Sequence, residues 1–89
     1  MRWQNMGIKG RIYHEERCHT PLGYATITWS ADDDNPYYTV KIEGFFSEQF
    51  TRSGLTPDER LILAKEIVTN YLLEKQKEIL DFLLTPLNS

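Results

Sequence analysis

The stretch that decides the fold class is residues 56–84, TPDERLILAKEIVTNYLLEKQKEILDFLL. Thr56 is a good helix N-cap, Pro57 suits the first helical position, and Glu59 stands three residues after the cap, where it can close a capping box. No glycine or proline follows before the end of the stretch. The pattern therefore predicts one helix over about 57–84, roughly 42 Å long.

Apolar residues on this predicted helix fall into two stripes. At about 100° per residue, the broad stripe suited to packing on a sheet contains Leu61, Ala64, Ile67, Val68, Tyr71, Leu72, Ile79, Phe82 and Leu83. The narrower second stripe contains Ile62, Leu73, Leu80 and Leu84. Strands of ordinary length are shorter than this helix, so its last turns are expected to extend beyond the sheet edge. Either the helix breaks near Lys75–Lys77 and the tail folds back into the core, or the second stripe and the last turns bind another chain.

Three stretches upstream of the helix alternate between apolar and polar residues, which indicates strands at 8–15, 24–30 and 37–46. The residues predicted to face the helix are Ile8, Gly10, Ile12, Ala25, Ile27, Trp29, Tyr38, Val40 and Ile42. Residues 16–23 are predicted as a loop too long for a tight turn, and the acidic segment 31–36 as a turn.

Short connections of this kind favour antiparallel neighbours, because parallel pairing needs a long crossover. The predicted fold class is therefore α+β, in the order β-β-β-α. A three-stranded antiparallel meander is followed by a long C-terminal helix packed on one of its faces. Residues 1–89 are predicted to form a single domain.

Composition and charge narrow the class of protein. The chain is 40% apolar and 26% charged, as in a folded domain, and its net charge of −3 argues against a dedicated nucleic-acid binder. No apolar run approaches the roughly 20 residues of a membrane span, and no apolar signal core follows the N-terminal methionine. The single cysteine, Cys18, excludes an intramolecular disulfide. We therefore expect a cytoplasmic protein with no membrane partner.

The sequence predicts no metal, cofactor or catalytic site. His14, Cys18 and His19 do not have the spacing of a structural zinc site. The acidic turn Asp32, Asp33 and Asp34 lacks the alternating ligands of a calcium loop, so it is interpreted as a contact surface or a solubility device. The glycines form no phosphate-binding pattern. A non-enzymatic protein is expected.

The outward residues of the predicted sheet combine aromatic rings with cations. They are Lys9, Arg11, Tyr13, Tyr24, Tyr37 and Lys41. Such a face stacks bases in some single-strand RNA binders, and tyrosine and arginine are also favoured at protein interfaces. Tyrosine and threonine also simply stabilise strands, so a face with no binding role stays open.

These observations favour a small non-enzymatic protein-interaction module. It is predicted to be a regulator, adaptor or inhibitor that acts by covering the surface of a protein partner. The second stripe, with Ile62, Leu73, Leu80 and Leu84, is the predicted contact surface and also predicts a homodimer. The alternative is a nucleic-acid-binding protein that uses the outer sheet face.

Overall fold

An antiparallel sheet followed by one C-terminal helix forms the described part of the protein, which confirms the α+β class. The computed structural model describes residues 2–9, 13–31, 37–51 and 54–85. The elements are β1 (Trp3–Lys9), β2 (Tyr13–Thr20), β3 (Gly23–Ser30), β4 (Tyr37–Ile42), β5 (Phe46–Thr51) and α1 (Pro57–Leu84). The strands pair in chain order, β1-β2-β3-β4-β5. The prediction of three strands is therefore wrong, because the sheet has five.

The first predicted strand, 8–15, covers the end of one strand and the start of the next. Ile8 and Lys9 end β1, and Tyr13 begins β2, which pairs with β1 in antiparallel register. Gly10, Arg11 and Ile12 lie outside the described residues, as do Asp32, Asp33 and Asp34 of the acidic turn. Alternation alone did not mark the boundary, because the apolar-polar pattern continues across the chain reversal.

The predicted loop at residues 16–23 is mostly strand. β2 continues to Thr20, and only Pro21 and Leu22 form the turn to β3. The Thr20 hydroxyl stabilises this turn, since it donates to the Gly23 carbonyl at 2.6 Å and accepts the Leu22 amide proton at 3.2 Å. Gly23 has a φ of 121°, which a residue with a side chain rarely adopts. This segment was predicted to be a loop because its residues are mostly charged or polar, although alternate positions of β2 are buried.

The third predicted strand, 37–46, runs through a second turn. β4 ends at Ile42, and the Phe45 amide donates to the Ile42 carbonyl at 2.9 Å. Gly44 has a φ of 84° in this turn, and β5 then begins at Phe46. β5 contributes two partly buried residues, Phe46 and Phe50, and its other residues are exposed. Because most of its positions are exposed and polar, the sequence pattern did not indicate a strand here.

The core lies between the inner sheet face and the first half of α1. The predicted inward residues Ala25, Ile27, Tyr38, Val40 and Ile42 are buried, and Trp29 packs against them. From the helix, Ala64 and Val68 are fully buried in the same cluster. Ile8 is an exception, since it lies at the β1 edge and is 55% exposed instead of packing under the helix. The assignment of residues 1–89 to one domain stays a prediction.

The N-terminus of α1 has the predicted capping box. The Glu59 amide donates to the Thr56 hydroxyl at 3.2 Å, and the Thr56 amide donates to the Glu59 carboxylate at 3.1 Å. Hydrogen bonds from the Thr56 backbone, and then from its side chain, hold the pKa of Glu59 below its ordinary value. A lowered folded-state pKa means that the box stabilises the helix above the ordinary pKa of a glutamate. This contribution is lost as the pH falls through the folded-state pKa.

Thr56→Ala is expected to lower the free energy of unfolding by about 0.5–2 kcal/mol, since it removes one member of the box and leaves a helix-end amide without its acceptor. Urea unfolding at neutral pH measures the difference. The same comparison in acid should give only a slightly smaller difference. The residue 56 backbone amide donates to the Glu59 carboxylate in both proteins, and only the smaller stabilisation of that carboxylate by the Thr56 side chain is lost in the variant. An unchanged midpoint at neutral pH would show that the cap does not stabilise the helix.

Candidate functional site

The second half of α1 extends past the sheet. α1 has 28 residues, or about 42 Å, and its last residues packed against the core are Tyr71 and Leu72. The Cα radius of gyration is 15.7 Å, against about 12 Å for a globular chain of this length. The helix is continuous, so a break near Lys75–Lys77 does not occur. The last three turns are therefore a projection from the domain.

Large apolar side chains remain exposed on this projection. We call residues 73–84 the helix tip. Its apolar side chains have exposed fractions between 47% and 79%, and they are Leu73, Ile79, Leu80, Phe82, Leu83 and Leu84. A protein surface rarely carries so many neighbouring large apolar side chains unless it binds something.

An open groove of about 520 Å³ lies beside the helix tip. One wall is the β2–β3 turn, where Pro21 and Leu22 lie. The other wall is α1, and among its lining residues are Thr69, Leu72, Leu73, Gln76, Ile79 and Leu80. The tight turn positions this wall, because Thr20 fixes Leu22 close to the helix. The groove and the helix tip together form one continuous apolar surface.

The four residues of the predicted second stripe do not form one compact patch. Leu73 and Leu80 line the groove, and Leu84 lies at the end of the helix tip. Ile62 is also exposed, at 57%, but it lies about 16 Å along the helix axis from Leu73. The prediction did not include Pro21 and Leu22, because their segment was interpreted as a loop. The Thr-Pro-Leu-Gly sequence of residues 20–23 was the available signal for a turn at this point.

The outer sheet face, which α1 does not cover, carries most of the second predicted site. Tyr13, Tyr24, Tyr37 and Lys41 are exposed there on β2, β3 and β4. Lys9 lies in β1, and Arg11 lies outside the described residues. The antiparallel register aligns Tyr13 with Ser30, and Thr26 with Lys41. The four described outward residues therefore do share a surface.

Arg17 was not among the predicted residues of the outer face, yet it is central to it. Its guanidinium lies 5.1 Å from the centre of the Tyr24 ring and donates to the Glu15 carboxylate at 3.0 Å. Glu15 is only 8% exposed, although it stands on the uncovered face. Among the described residues, neither the buried Arg17 Nε nor the buried Thr26 Oγ1 has a hydrogen-bond partner. The signal for Arg17 was its place in the alternation of β2, which had been interpreted as a loop.

The described cations of this face are accompanied by carboxylates. Arg17 pairs with Glu15, and Lys41 Nζ lies 3.3 Å from the Glu43 carboxylate. Pairing lowers the positive potential that a phosphate backbone requires. The described part of the outer face is thus polar and aromatic without being strongly basic.

His14, Cys18 and His19 do not converge. His14 stacks on Trp29 of the inner face with ring centres 5.2 Å apart, whereas His19 lies against Tyr24 on the outer face. Cys18 is buried on the inner face opposite Ala25. Within the described ranges no group of three or more His, Cys, Asp or Glu side chains is placed to hold a metal ion. No helix in the same ranges is both long and apolar enough to span a membrane.

Comparison with protein-family models, with curated proteins and with solved structures finds no significant match to this chain.

Proposed function

We propose that this chain is a small non-enzymatic protein-interaction module of the cytoplasm, a regulator, adaptor or inhibitor that acts by covering the surface of a protein partner. The observation that carries the proposal is the exposed apolar surface of the helix tip, continuous with the groove beside the β2–β3 turn. Burying such side chains is favourable by about 1.5–3 kcal/mol for each one that is fully covered. A partner that covers several of them gains enough to offset the entropy lost on association.

The chemistry of this surface suits a protein better than other ligands. The groove is open on one side and lined mainly by aliphatic side chains, with Thr69, Lys75 and Gln76 as its polar members. An amphipathic helix that presents large apolar anchors is a common recognition element between proteins. Phe82 and the leucines around it can provide anchors of this kind.

Nucleic-acid binding through the outer sheet face is the alternative. The contact of Arg17 with Tyr24 supports it, because stacked guanidinium and aromatic groups bind single-stranded bases. The carboxylates beside Arg17 and Lys41 oppose it, since they reduce the attraction for phosphates. A steep fall of affinity for single-stranded RNA with rising salt would favour this alternative over the protein interface.

Site-specific photo-crosslinking tests the proposal. A benzophenone-bearing phenylalanine analogue replaces Leu80 on the helix tip in one variant and Tyr37 on the outer sheet face in a matched variant, since 47% and 49% of these side chains are exposed. After irradiation of cells that make the full chain, we expect a protein adduct of discrete mass from position 80 and none from position 37. Nucleic-acid adducts at position 37 with none at position 80 would support the alternative. No adduct at position 80 contradicts the proposal.

A further inference from the structure

We infer that the partner of the helix tip is a second copy of this chain, bound as an antiparallel helix pair over residues 69–84 around a two-fold axis near residue 77. This inference rests on the proposed function and names the occupant of the same surface. Three features support it: the spacing of the apolar residues along α1, the position of the groove relative to the axis, and the area that pairing would bury.

The spacing is that of a helix seam. Eight residues of α1 form this seam. Each is one, three or four residues from another member, and together they span an arc of about 140° around the helix. They are Thr69, Leu72, Leu73, Gln76, Ile79, Leu80, Leu83 and Leu84. Three-four spacing over more than two heptads is the pattern by which helices pack along each other. The seam belongs to one helix, because α1 is continuous through this segment.

An antiparallel arrangement makes the seam complementary to itself. With the axis near residue 77, Leu73 lies opposite the partner's Leu80, and Leu72 lies opposite the partner's Leu83. Gln76 then falls close to the axis, where a polar side chain in an otherwise apolar part of the seam favours one register over its neighbours. A two-fold axis makes every contact occur twice, which is the usual way in which a chain associates with its copy.

The groove lies where the other copy's last turn would arrive. Leu83 and Leu84 are about 10 Å along the helix from the axis, and the level between Thr69 and Leu72 is equally far in the other direction. Thr69 and Leu72 line the groove at that level, and Pro21 and Leu22 of the β2–β3 turn form its other wall. Each helix tip would therefore fill the groove of the other copy, which would cover both apolar features with one contact.

The buried area is sufficient for a stable dimer. Five exposed apolar side chains of the seam contribute roughly 100 Å² each, or about 500 Å² per copy and about 1,000 Å² over the two copies, and they are Leu73, Ile79, Leu80, Leu83 and Leu84. Pro21 and Leu22 of the groove wall add to this area. Specific interfaces begin near 1,000 Å² in total. The charges on this segment do not oppose pairing, because Lys75 and Lys77 accompany Glu74, Glu78 and Asp81. Lys75 already pairs with Glu78 at 3.1 Å beside the seam.

Sedimentation equilibrium of the full chain, with circular dichroism to check folding, tests the inference. We expect the wild type to have twice the chain mass at micromolar concentration and Leu80→Glu to be a folded monomer with self-association at least about 100-fold weaker. Ile62→Glu is the matched control, since Ile62 is as exposed as Leu73 but lies outside residues 69–84. It should leave the dimer intact. A dimer that Ile62→Glu disrupts and Leu80→Glu does not would overturn the inference.

Disulfide trapping tests the register. In a Cys18→Ala background, Gln76→Cys should give a covalent dimer under mild oxidation, because the two copies of position 76 lie close to the axis. Glu66→Cys in the same background should not. A covalent dimer from position 66 but not from position 76 would contradict the antiparallel pair.

The results separate this inference from the proposed function. If the wild type is a monomer and the Leu80→Glu variant is folded, the inference that a second copy binds the helix tip is wrong. The proposed function then stands if position 80 crosslinks to a protein of different mass. A Leu80→Glu variant that fails to fold, with no adduct at position 80, would place Leu80 in the core of its own domain and contradict both.

Discussion

Ile27→Ala is expected to lower the free energy of unfolding by about 2–5 kcal/mol. Ile27 is fully buried on the central strand β3, opposite Val40 of β4 and Glu16 of β2. It belongs to the same cluster as Ala64 and Val68 of α1. Truncation therefore removes apolar contacts and leaves a cavity between sheet and helix, where the rigid strands limit collapse.

The domain has little stability to lose. Small domains are generally stable by about 5–15 kcal/mol, and chains of this length lie toward the lower end. Urea unfolding of Ile27→Ala should show a lower midpoint with a similar slope. Ile62→Ala is the control, because Ile62 is an isoleucine on the same protein with 57% of its surface exposed. A similar loss in both variants would show that Ile27 is not part of a packed core.

Lys65→Met is expected to cost about 1–3 kcal/mol, more than the removal of an ordinary surface cation. Lys65 Nζ on α1 lies 3.1 Å from the Glu16 carboxylate on β2, and the Glu16 side chain is only 10% exposed. The lysine also lies over the Trp3 ring, 5.8 Å from its centre. Methionine keeps much of the aliphatic stem but leaves Glu16 without the ion pair. The estimate is below that for a fully buried pair because the Lys65 side chain is 35% exposed.

A double-mutant cycle isolates this interaction. Lys65→Met combined with Glu16→Met should be less destabilising than Lys65→Met alone, because both charges are then absent. The control is Lys41→Met, which removes the cation of the exposed Lys41–Glu43 pair at 3.3 Å and should change stability by less than about 1 kcal/mol. If Lys65→Met and Lys41→Met lower the free energy of unfolding equally in chemical denaturation, the Lys65–Glu16 pair stabilises the packing of the helix no more than an exposed ion pair would.

For the candidate interaction surface, the sequence predicted which residues of α1 share one side of the helix, but not which residues of other elements lie beside them. Leu73, Leu80 and Leu84 could be placed on one side of α1 from the sequence, because helical periodicity depends only on residue spacing, and all three are exposed. Their role in binding stays a prediction. The groove wall at Leu22 was not recognised, because it forms only when the β2–β3 turn is brought beside the helix. Likewise, the contact between Arg17 and Tyr24 requires the pairing of β2 with β3.

Local interactions determined what the sequence alone could predict. The capping box of Thr56 and Glu59 is complete within four residues, so the start of α1 needed no tertiary information. The inward positions of β3 and β4 followed from alternation, since these central strands have one buried face and few charges.

Tertiary structure decided the rest. β2 carries Glu16 on the inner sheet face, where Lys65, distant in the sequence, reaches its carboxylate from the helix and compensates the burial of the charge. The number of strands depended on two chain reversals across which the alternation continues, so local pattern could not fix the boundaries. The exposure of the helix tip also depended on the fold. Spacing shows which residues share a stripe, but only the docking of α1 through Ala64 and Val68 determines where the sheet ends and which leucines remain uncovered.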